Sequence, residues 1–495
     1  MDPTESTPMS SFGEPSDPTS VDVPPVPDDK ATNLADLRSS GYEPVSVSEE
    51  IRRNAAKRIK EGVALVDGVL GFQDTVLAQM ENALLAGHDI IFLGERGQAK
   101  SRLIRSMVGL LDEWIPTVAG SEINDDPFHP VSKFARNKII EDGDDTSITW
   151  IHRSERYGEK LATPDTSIAD LIGEVDPIKI AEGRYLSDEL ALHYGLVPRT
   201  NRGIFAINEL ADLAERIQVG LLNILEERDV QIRGHRIRLP LDIVLVATAN
   251  PEDYTNRGRI ITPLKDRFGA QIRTHYPRDT ATEVAVVRRE ALIPEGTVSI
   301  TIPDYLEEIV AEISQLARRS PRLNQRSGVS VRLSIANYET LAASALRRAL
   351  RNGEPVAVPR VSDLSALVAS TQGKVEVEAI EDGRESEVVA DLVAAAVLAV
   401  FKRSVTLEDP STIVSCFSDG VVVHAGDDLA ASEYLRVLKE MPALEAPVRA
   451  IAGPEATESP ALLASALEFL LEGLHLTKRL NKESSGPRAL YRSRR

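Results

Sequence analysis

The sequence predicts an α/β fold in which helices flank a parallel sheet and a helical domain follows. Three short apolar runs predict the strands of that sheet, namely IIFL after residue 89, GIFAINE at 203–209 and DIVLVATANP at 242–251. Each run has the length of a buried strand and ends in polar residues, which is typical of parallel strands whose carboxyl ends carry functional groups. After residue 279 the apolar residues recur every three to four positions, which predicts helices.

Composition excludes several classes of protein. The length of 495 residues predicts two to four domains, and the single cysteine excludes a disulfide framework or a cysteine-rich zinc site. A net charge of −19 argues against a broad nucleic-acid surface, because phosphate binding needs clustered Lys and Arg. The chain has no apolar run of about 20 residues and no signal-peptide pattern at its start, so we expect a cytoplasmic protein with no membrane association.

The chain divides into four predicted segments. Residues 1–48 are rich in Pro, Ser, Thr and Asp, which predicts a disordered acidic tail. Nine of the nineteen net negative charges lie before residue 51, so the remainder is closer to neutral. Residues 49–278 are the predicted α/β core and residues 279–404 the predicted helical domain. Residues 405–495 form an extension of unassigned fold that ends in a basic, loose tail.

A glycine-bearing loop joins the first predicted strand to a helix. It consists of Gly94, Glu95, Arg96, Gly97, Gln98, Ala99, Lys100 and Ser101. Such a loop points backbone N–H groups at one spot beside the positive end of a helix dipole, which suits a phosphate. Lys100 would then reach the phosphates of ATP and Ser101 would bind Mg²⁺. Ala99 stands where a glycine is expected before the lysine, and the alternative is a plain turn with an exposed lysine.

An acidic residue follows the second predicted strand. Hydrolysis of ATP needs one group to hold the Mg²⁺ shell and another to orient the attacking water, and Glu209 suits the second task. Asn208 stands where an aspartate normally performs the first, so it keeps the hydrogen-bonding shape and loses the charge. The alternative is a buried strand end whose Glu209 caps the next helix. The residues alone leave both interpretations and the hydrolysis rate open.

Three further residues suit a nucleotide site. Asn250 ends the third predicted strand, where its amide could contact the γ-phosphate and the attacking water. Arg267 lies in LKDRFG, and Arg332 begins the predicted helix in GVSVRLSIANY. An arginine at the γ-phosphate stabilises the charge that develops in phosphoryl transfer, although the common fate of an exposed arginine is a surface ion pair. The order of all these motifs along the chain predicts an ATPase.

Six segments of the chain resemble the AAA+ ATPases of the magnesium-chelatase I-subunit and MoxR groups: GERGQAKS, GLVPRTNRGIFAINEL, LLNILEERDVQIRG, VATANPEDY, LKDRFG and GVSVR. The resemblance covers about residues 68–400. It implies a P-loop AAA+ core with an insert before the Walker B strand near 170–177 and a β-hairpin before sensor 1 at 230–242, followed by an α-helical lid.

The resemblance also implies a role for each site residue. The implied roles are Lys100 and Ser101 at the phosphates and Mg²⁺, Glu209 as the residue that activates water, Asn250 as sensor 1, Arg267 as a finger acting in trans, and Arg332 as sensor 2. A finger acting in trans implies a homo-oligomeric ring, a hexamer by resemblance. Members of the family commonly work with a partner that carries a von Willebrand A domain.

Three hypotheses of function follow. The first is a ring-forming ATP-driven motor that remodels or activates a partner protein, either chaperone-like or associated with a metal chelatase. The alternative, favoured by Asn208, is a nucleotide-gated binding scaffold with little hydrolysis. A DNA motor or transcription activator is the third, but the sequence has no recognisable DNA-binding module and no GAFTGA-type loop. The basic stretch at 478–495 is the one feature in its favour.

Overall fold

The computed structural model describes most of residues 23–494. The gaps in this range are residues 182–187, 228–238, 251–258, 297, 326, 379–382, 408–409, 418–420, 455–458 and 486–487. The described chain forms two compact units. The first unit holds most of the chain up to residue 273, and the second holds residues 274–494 together with the short segments 68–74 and 94–99.

Five parallel strands form the main sheet of the first unit. The strands of this unit are β1 (Ile90–Leu93), β2 (Trp114–Val118), β3 (Ile148–His152), β4 (Tyr157–Leu161), β5 (Gly173–Val175), β6 (Leu192–Tyr194), β7 (Gly203–Asn208), β8 (Ile243–Ala249) and β9 (Ala270–Arg273). The sheet has the order β4-β7-β8-β1-β9, and every neighbouring pair is parallel. Strands β1 and β8 are buried along their whole length, as expected of parallel strands covered on both faces.

Ten α-helices accompany these strands in the described part of the first unit. They are α1 (Leu34–Ser39), α2 (Val47–Glu61), α3 (Ala78–Ala86), α4 (Lys100–Ser106), α5 (Lys133–Asp142), α6 (Ile168–Leu171), α7 (Pro177–Ala181), α8 (Leu196–Arg199), α9 (Glu215–Glu227) and α10 (Thr262–Arg267). The ends of α2 follow local chemistry. The Ser46 side chain accepts a hydrogen bond from the backbone N–H of Glu49, and Gly62 ends the helix in a left-handed conformation.

The predicted α/β fold class is confirmed, because the apolar runs at 203–209 and 242–251 form the parallel strands β7 and β8. The antiparallel pair β5–β6 lies between the phosphate loop and β7, in the region of the predicted insert. Most of the β-hairpin predicted at 230–242 lies outside the described residues.

The prediction of a disordered tail over residues 1–48 is wrong for its last part. Helix α1 lies within that range, and its Leu34 and Leu37 are buried. The indole N–H of Trp150 on β3 donates to the carbonyl of Ala31 at 2.8 Å, which ties the segment to the first unit. The prediction rested on the average composition of residues 1–48, which is polar. It overlooked Leu34 and Leu37, which lie three residues apart and therefore share one face of a helix that can pack against the first unit. The first 22 residues lie outside the described part.

The second unit is mainly helical. Its helices are α11 (Thr280–Glu290), α12 (Asp304–Ala317), α13 (Arg332–Asn352), α14 (Leu367–Gln372), α15 (Glu385–Ser404), α16 (Pro410–Ser415), α17 (Ala431–Glu440), α18 (Glu445–Ala452) and α19 (Pro460–Leu476). Its strands are β10 (Ser299–Ile300), β11 (Val356–Ala357), β12 (Val422–Gly426), β13 (Leu480–Ser485) and β14 (Arg488–Ser493). Among the helices described in either unit, none combines the length and apolarity that a bilayer crossing requires.

The extension at 405–495 shares a hydrophobic core with the helical segment before it. One cluster of buried side chains runs from α12 through α15 to α19 and β14, so the boundary predicted after residue 404 does not separate two cores. The expected loose basic tail is wrong, because β12, β14 and β13 form an antiparallel sheet. Leu480 and Tyr491 are buried in it, and Tyr491 on β14 lies opposite Val423 on β12 and Lys482 on β13.

A buried ionic cluster joins the extension to the helical segment. The Arg348 guanidinium pairs with the Asp363 carboxylate at 2.9 Å, and Arg360 pairs with Glu354 at 3.2 Å. Glu468, on α19 of the extension, accepts hydrogen bonds from the backbone N–H of Ser362 and from the hydroxyl of Tyr434. Burial raises the pKa of Glu468, and the nearby Arg360 only partly offsets that effect. The extension is therefore an integral part of the second unit.

We expect Glu468→Gln to change how stability depends on pH. A carboxyl whose pKa is raised in the folded state contributes its stability at low pH and loses that contribution as the pH rises through the raised value. The free energy of unfolding of Glu468→Gln should therefore improve relative to the unchanged chain as the pH rises above the ordinary carboxyl pKa of 4.5. Denaturant unfolding at several pH values measures this difference.

Glu433→Gln is the matched control, because it makes the same chemical change at an exposed position of α17. Its stability should follow that of the unchanged chain at every pH. A constant difference between Glu468→Gln and the unchanged chain across the range would contradict a raised pKa.

Candidate functional site

Three strands of the first unit end at one edge of the sheet. Leu93, the last residue of β1, lies opposite Ala249, the last of β8, and Ile207 of β7 lies opposite Ala247. In parallel sheets the residues that follow such strand ends form ligand sites. Here those residues are the start of the phosphate loop after β1, Asn208 and Glu209 at the end of β7, and Asn250 after β8.

The loop between β1 and α4 bends through two left-handed residues. Gly97 has a φ of 74°, and a Cβ at this position would lie 1.9 Å from the hydroxyl oxygen of Ser330. Ala99 has a φ of 54°, a conformation that costs a residue with a side chain about 1–2 kcal/mol. The left-handed conformation explains why a glycine is expected before Lys100.

Two side chains that follow β9 hold the loop within the second unit. The hydroxyl of Thr274 donates to the Gln98 side-chain oxygen at 2.7 Å, and the hydroxyl of Tyr276 donates to the backbone carbonyl of Arg96 at 2.9 Å. The sequence analysis did not identify either residue. The available signal was the polar run that follows the last strand of the sheet.

Glu209 has an unusual backbone conformation directly after β7. Its φ is 55°, and its N–H donates to the hydroxyl oxygen of Thr248 on β8 at 3.0 Å. Left-handed residues with side chains occur preferentially at functional sites, where the surrounding structure holds them. The Glu209 side chain makes no capping hydrogen bond to the short helical turn at 210–212, which lies within the described chain.

Asn208 lies between polar side chains of two neighbouring strands. Its amide NH₂ donates to the carboxylate of Glu159 on β4, and its amide oxygen accepts from the hydroxyl of Thr248 at 3.3 Å. Glu159 lies opposite Ala206 in the register of β4 and β7, so its side chain shares a face with Asn208 two residues further on. The predicted Asn208 is thus one member of a hydrogen-bonded chain across three neighbouring strands, β4, β7 and β8.

Glu159 is held by two further groups. The Arg105 guanidinium donates to both carboxylate oxygens, at 3.0 and 3.2 Å, and the hydroxyl of Tyr157 donates at 2.8 Å. Burial alone would raise the pKa of Glu159, but the hydrogen bonds from Arg105 and Tyr157 more than offset it and hold the pKa below its ordinary value. Glu159 is therefore ionised at neutral pH. No sequence motif indicates Glu159, which lies inside the short segment YGEKL, or Arg105, which lies on α4.

The remaining predicted residues lie in different places. Lys100 is buried at the start of α4, Asn250 is buried after β8, and Ser101 is exposed. Arg267 is exposed at the end of α10, just before β9, which begins opposite the start of β1. Arg267 therefore lies towards the opposite edge of the sheet from Asn250. In the second unit, Arg332 is exposed as the first residue of α13.

The oxygen atoms at this edge suit a magnesium ion that is bound together with phosphates. Mg²⁺ prefers oxygen ligands and usually takes only one or two from the protein, the rest coming from water and phosphate. Ser101, Asn208 and Glu209 offer a hydroxyl, an amide oxygen and a carboxylate. Across the described ranges, no group of three or more His, Cys, Asp or Glu residues could hold a metal by itself. The donor set fits a metal–nucleotide complex.

Comparisons with known proteins agree with the motifs. Residues 182–267 match the family described as the Sigma-54 interaction domain. The chain is 31% identical over 212 residues to the magnesium-chelatase 38 kDa subunit of Cereibacter sphaeroides, a match that covers 40% of this chain and 55% of that protein. It is 28% identical over 260 residues to the magnesium-chelatase subunit ChlI of a Nostoc species, covering 51% and 63%.

The match thus spans less than two thirds of the length of these relatives. Among solved structures, one of the complex between subunits BchI and BchD of magnesium chelatase aligns with 63% of this chain at 23% identity and a TM-score of 0.34, covering 96% of the aligned chain. These relatives confirm the resemblance to the magnesium-chelatase I-subunit group that the sequence motifs predict.

We expect Ala99→Gly to stabilise the protein. Glycine adopts the left-handed conformation without a steric cost, and its greater freedom in the unfolded chain cancels part of the gain, leaving about 1 kcal/mol or slightly less. Chemical denaturation monitored by circular dichroism measures the change in the free energy of unfolding.

Ala56→Gly provides the opposite control, because Ala56 is exposed in the interior of helix α2. There the same substitution should destabilise the protein by about 1 kcal/mol. Equal destabilisation by both substitutions would show that Ala99 bears no strain.

Proposed function

We propose that this chain, which is a magnesium-chelatase-like AAA+ protein, binds ATP with Mg²⁺ and hydrolyses it to ADP and phosphate. The observation that carries the proposal is the common edge of β1, β7 and β8. The phosphate loop, Glu209 and Asn250 all follow strands that end there. Lys100, Glu209 and Asn250, all in the first unit, are the kinds of residue that phosphoryl transfer to water requires.

Each residue has a distinct role in this proposal. Backbone N–H groups of the loop and the ammonium group of Lys100 hold the phosphates, and Ser101 and Asn208 hold the magnesium shell, Asn208 indirectly. Bound Mg²⁺ supplies positive charge against the charge on the phosphate oxygens. The Glu209 carboxylate orients the attacking water and accepts its proton, while the amide of Asn250 contacts the γ-phosphate.

The two arginines act at the γ-phosphate in this proposal. Arg267 is exposed and lies towards the far edge of its own sheet, so it suits a nucleotide held by a neighbouring copy of the chain. Such a contact requires a closed homo-oligomeric ring, and the family resemblance favours a hexamer. Arg332, at the start of the lid helix α13, is the proposed sensor 2.

The ring is proposed to work on another protein. The motifs shared with the magnesium-chelatase and MoxR groups support a motor that remodels or activates a partner carrying a von Willebrand A domain. Its work is chaperone-like or serves a metal chelatase, in the cytoplasm. The single cysteine, Cys416, suits a reducing compartment.

A nucleotide-gated scaffold with little hydrolysis is the second candidate. Asn208 favours it, because a neutral amide replaces the carboxylate that normally holds the magnesium shell at this position. ATP would then bind and change the conformation of the protein without rapid turnover.

Glu209→Gln separates the two candidates. If Glu209 accepts the proton of the attacking water, the substitution should lower the rate of phosphate release by about a hundredfold or more, because general-base catalysis contributes factors of that size. ATP binding, measured by isothermal titration calorimetry, should stay within about threefold of the unchanged chain, since the side chain remains polar and similar in shape.

Glu215→Gln is the control, because Glu215 is an exposed residue of the nearby helix α9 and should release phosphate at the unchanged rate. A parent rate no faster than that of Glu209→Gln, with ATP binding intact, would sink the ATPase proposal and favour the scaffold.

A further inference from the structure

Asn208 is held in one orientation by partners of fixed hydrogen-bonding polarity. Both carboxylate oxygens of Glu159 accept hydrogen bonds from Arg105, so the amide group of Asn208 that faces Glu159 must be the donating NH₂. The hydroxyl of Thr248 accepts from the backbone N–H of Glu209, which leaves its own hydrogen to be donated to the Asn208 oxygen. Rotating the amide by half a turn would place its oxygen against a carboxylate and would break both contacts.

The resulting chain of hydrogen bonds ends at the backbone of Glu209. It runs from the N–H of Glu209 through Thr248 and Asn208 to the carboxylate of Glu159. Glu209 has a left-handed backbone, so its position depends on contacts of this kind. The outer end of the chain is fixed by Arg105, which approaches Glu159 with two parallel N–H bonds.

Glu159 also brings a negative charge next to Asn208. The Arg105 side chain is 42% exposed while that of Glu159 is 21% exposed, so water screens the arginine more strongly than the carboxylate. The Glu159 carboxylate contacts the Asn208 amide directly, whereas Arg105 contacts Glu159. An aspartate at position 208 would provide such a charge itself, but beside Glu159 it would create two adjacent carboxylates.

We propose that Glu159 is a positioning residue of the magnesium–nucleotide site, supplying from β4 the negative charge that Asn208 lacks and fixing the Asn208 amide and, through Thr248, the backbone of Glu209. Glu159 acts through Asn208 and does not itself touch the nucleotide. This role rests on the proposed ATPase function. In this proposal positions 159 and 208 act as a pair, in which one side chain is a carboxylate and the other is an amide.

The proposal can be tested by exchanging the carboxylate and the amide between positions 159 and 208. The unchanged protein is compared with Glu159→Gln, Asn208→Asp and the double variant that carries both substitutions. Glu141→Gln is the charge-matched control, because Glu141 is an exposed residue of α5. One measurement is the Mg²⁺ concentration that gives half-maximal binding of a fluorescent, non-hydrolysable ATP analogue. The other is the midpoint of thermal unfolding without nucleotide or metal.

The variants at positions 159 and 208 have different expected results. Glu159→Gln should raise the Mg²⁺ requirement about tenfold, the size of effect that loss of an outer-shell partner has on metal affinity. Asn208→Asp should lower the unfolding midpoint by about 4 °C through repulsion between adjacent carboxylates. The double variant should recover most of both losses, and Glu141→Gln should match the unchanged protein.

Two results would overturn the role of Glu159. One is a Mg²⁺ requirement in Glu159→Gln equal to that of Glu141→Gln, and the other is a double variant whose unfolding midpoint shows only the added losses of the single variants. If the unchanged protein fails to bind the ATP analogue at any Mg²⁺ concentration, the proposed ATPase function itself is contradicted. The thermal comparison, made without nucleotide, then decides separately whether positions 159 and 208 are coupled.

Discussion

Parallel pairing of five strands is the constraint on which the candidate site depends. Because each strand runs in the same direction, β1, β7 and β8 end at the same edge of the sheet, and the residues that follow these strands begin there. Those residues are far apart along the chain, from Gly94 to Asn250. An antiparallel arrangement of the same strands would send half of them to the opposite edge. The buried, almost wholly apolar strands therefore determine where the polar chemistry occurs.

Several residues near that edge have conformations or environments that cost free energy, and contacts with the rest of the unit stabilise them. Ala99 and Glu209 both have left-handed backbones, and Glu159 and Asn208 are partly buried polar groups. Each costs free energy by itself, of order 1–3 kcal/mol for a left-handed residue. The hydrogen bonds that Thr248 and Arg105 make reduce this cost by satisfying the polar groups. Strain and polarity gathered at one edge of a well-packed sheet are typical of a functional site.

The sequence predicted the elements whose signal is local. Apolar runs located β7 and β8, and the glycine-bearing loop located the turn into α4, because strand burial and turn chemistry act over a few residues. Glu159 was not predicted because its contact with Asn208 depends on the pairing of β4 with β7. The two residues lie 49 positions apart in the sequence. Helix α1 was not predicted for a similar reason. Its two leucines stabilise the helix only because they are buried in the folded protein, and the local sequence does not show that burial.

The extension at 405–495 was also mispredicted because its structure depends on contacts with residues far away in the sequence. Its strands are short and its charged residues numerous, so its composition suggests a loose end, yet α19 is buried along nearly its whole length. Glu468 on that helix lies in a cluster with Arg360 and Tyr434, and all three side chains are buried. A buried carboxylate, arginine and tyrosine are tolerated only when they satisfy one another, so the helical segment and the extension each supply groups that the other requires. Residues 279–404 are therefore not a self-contained lid, and any change of conformation in that segment has to carry the extension with it.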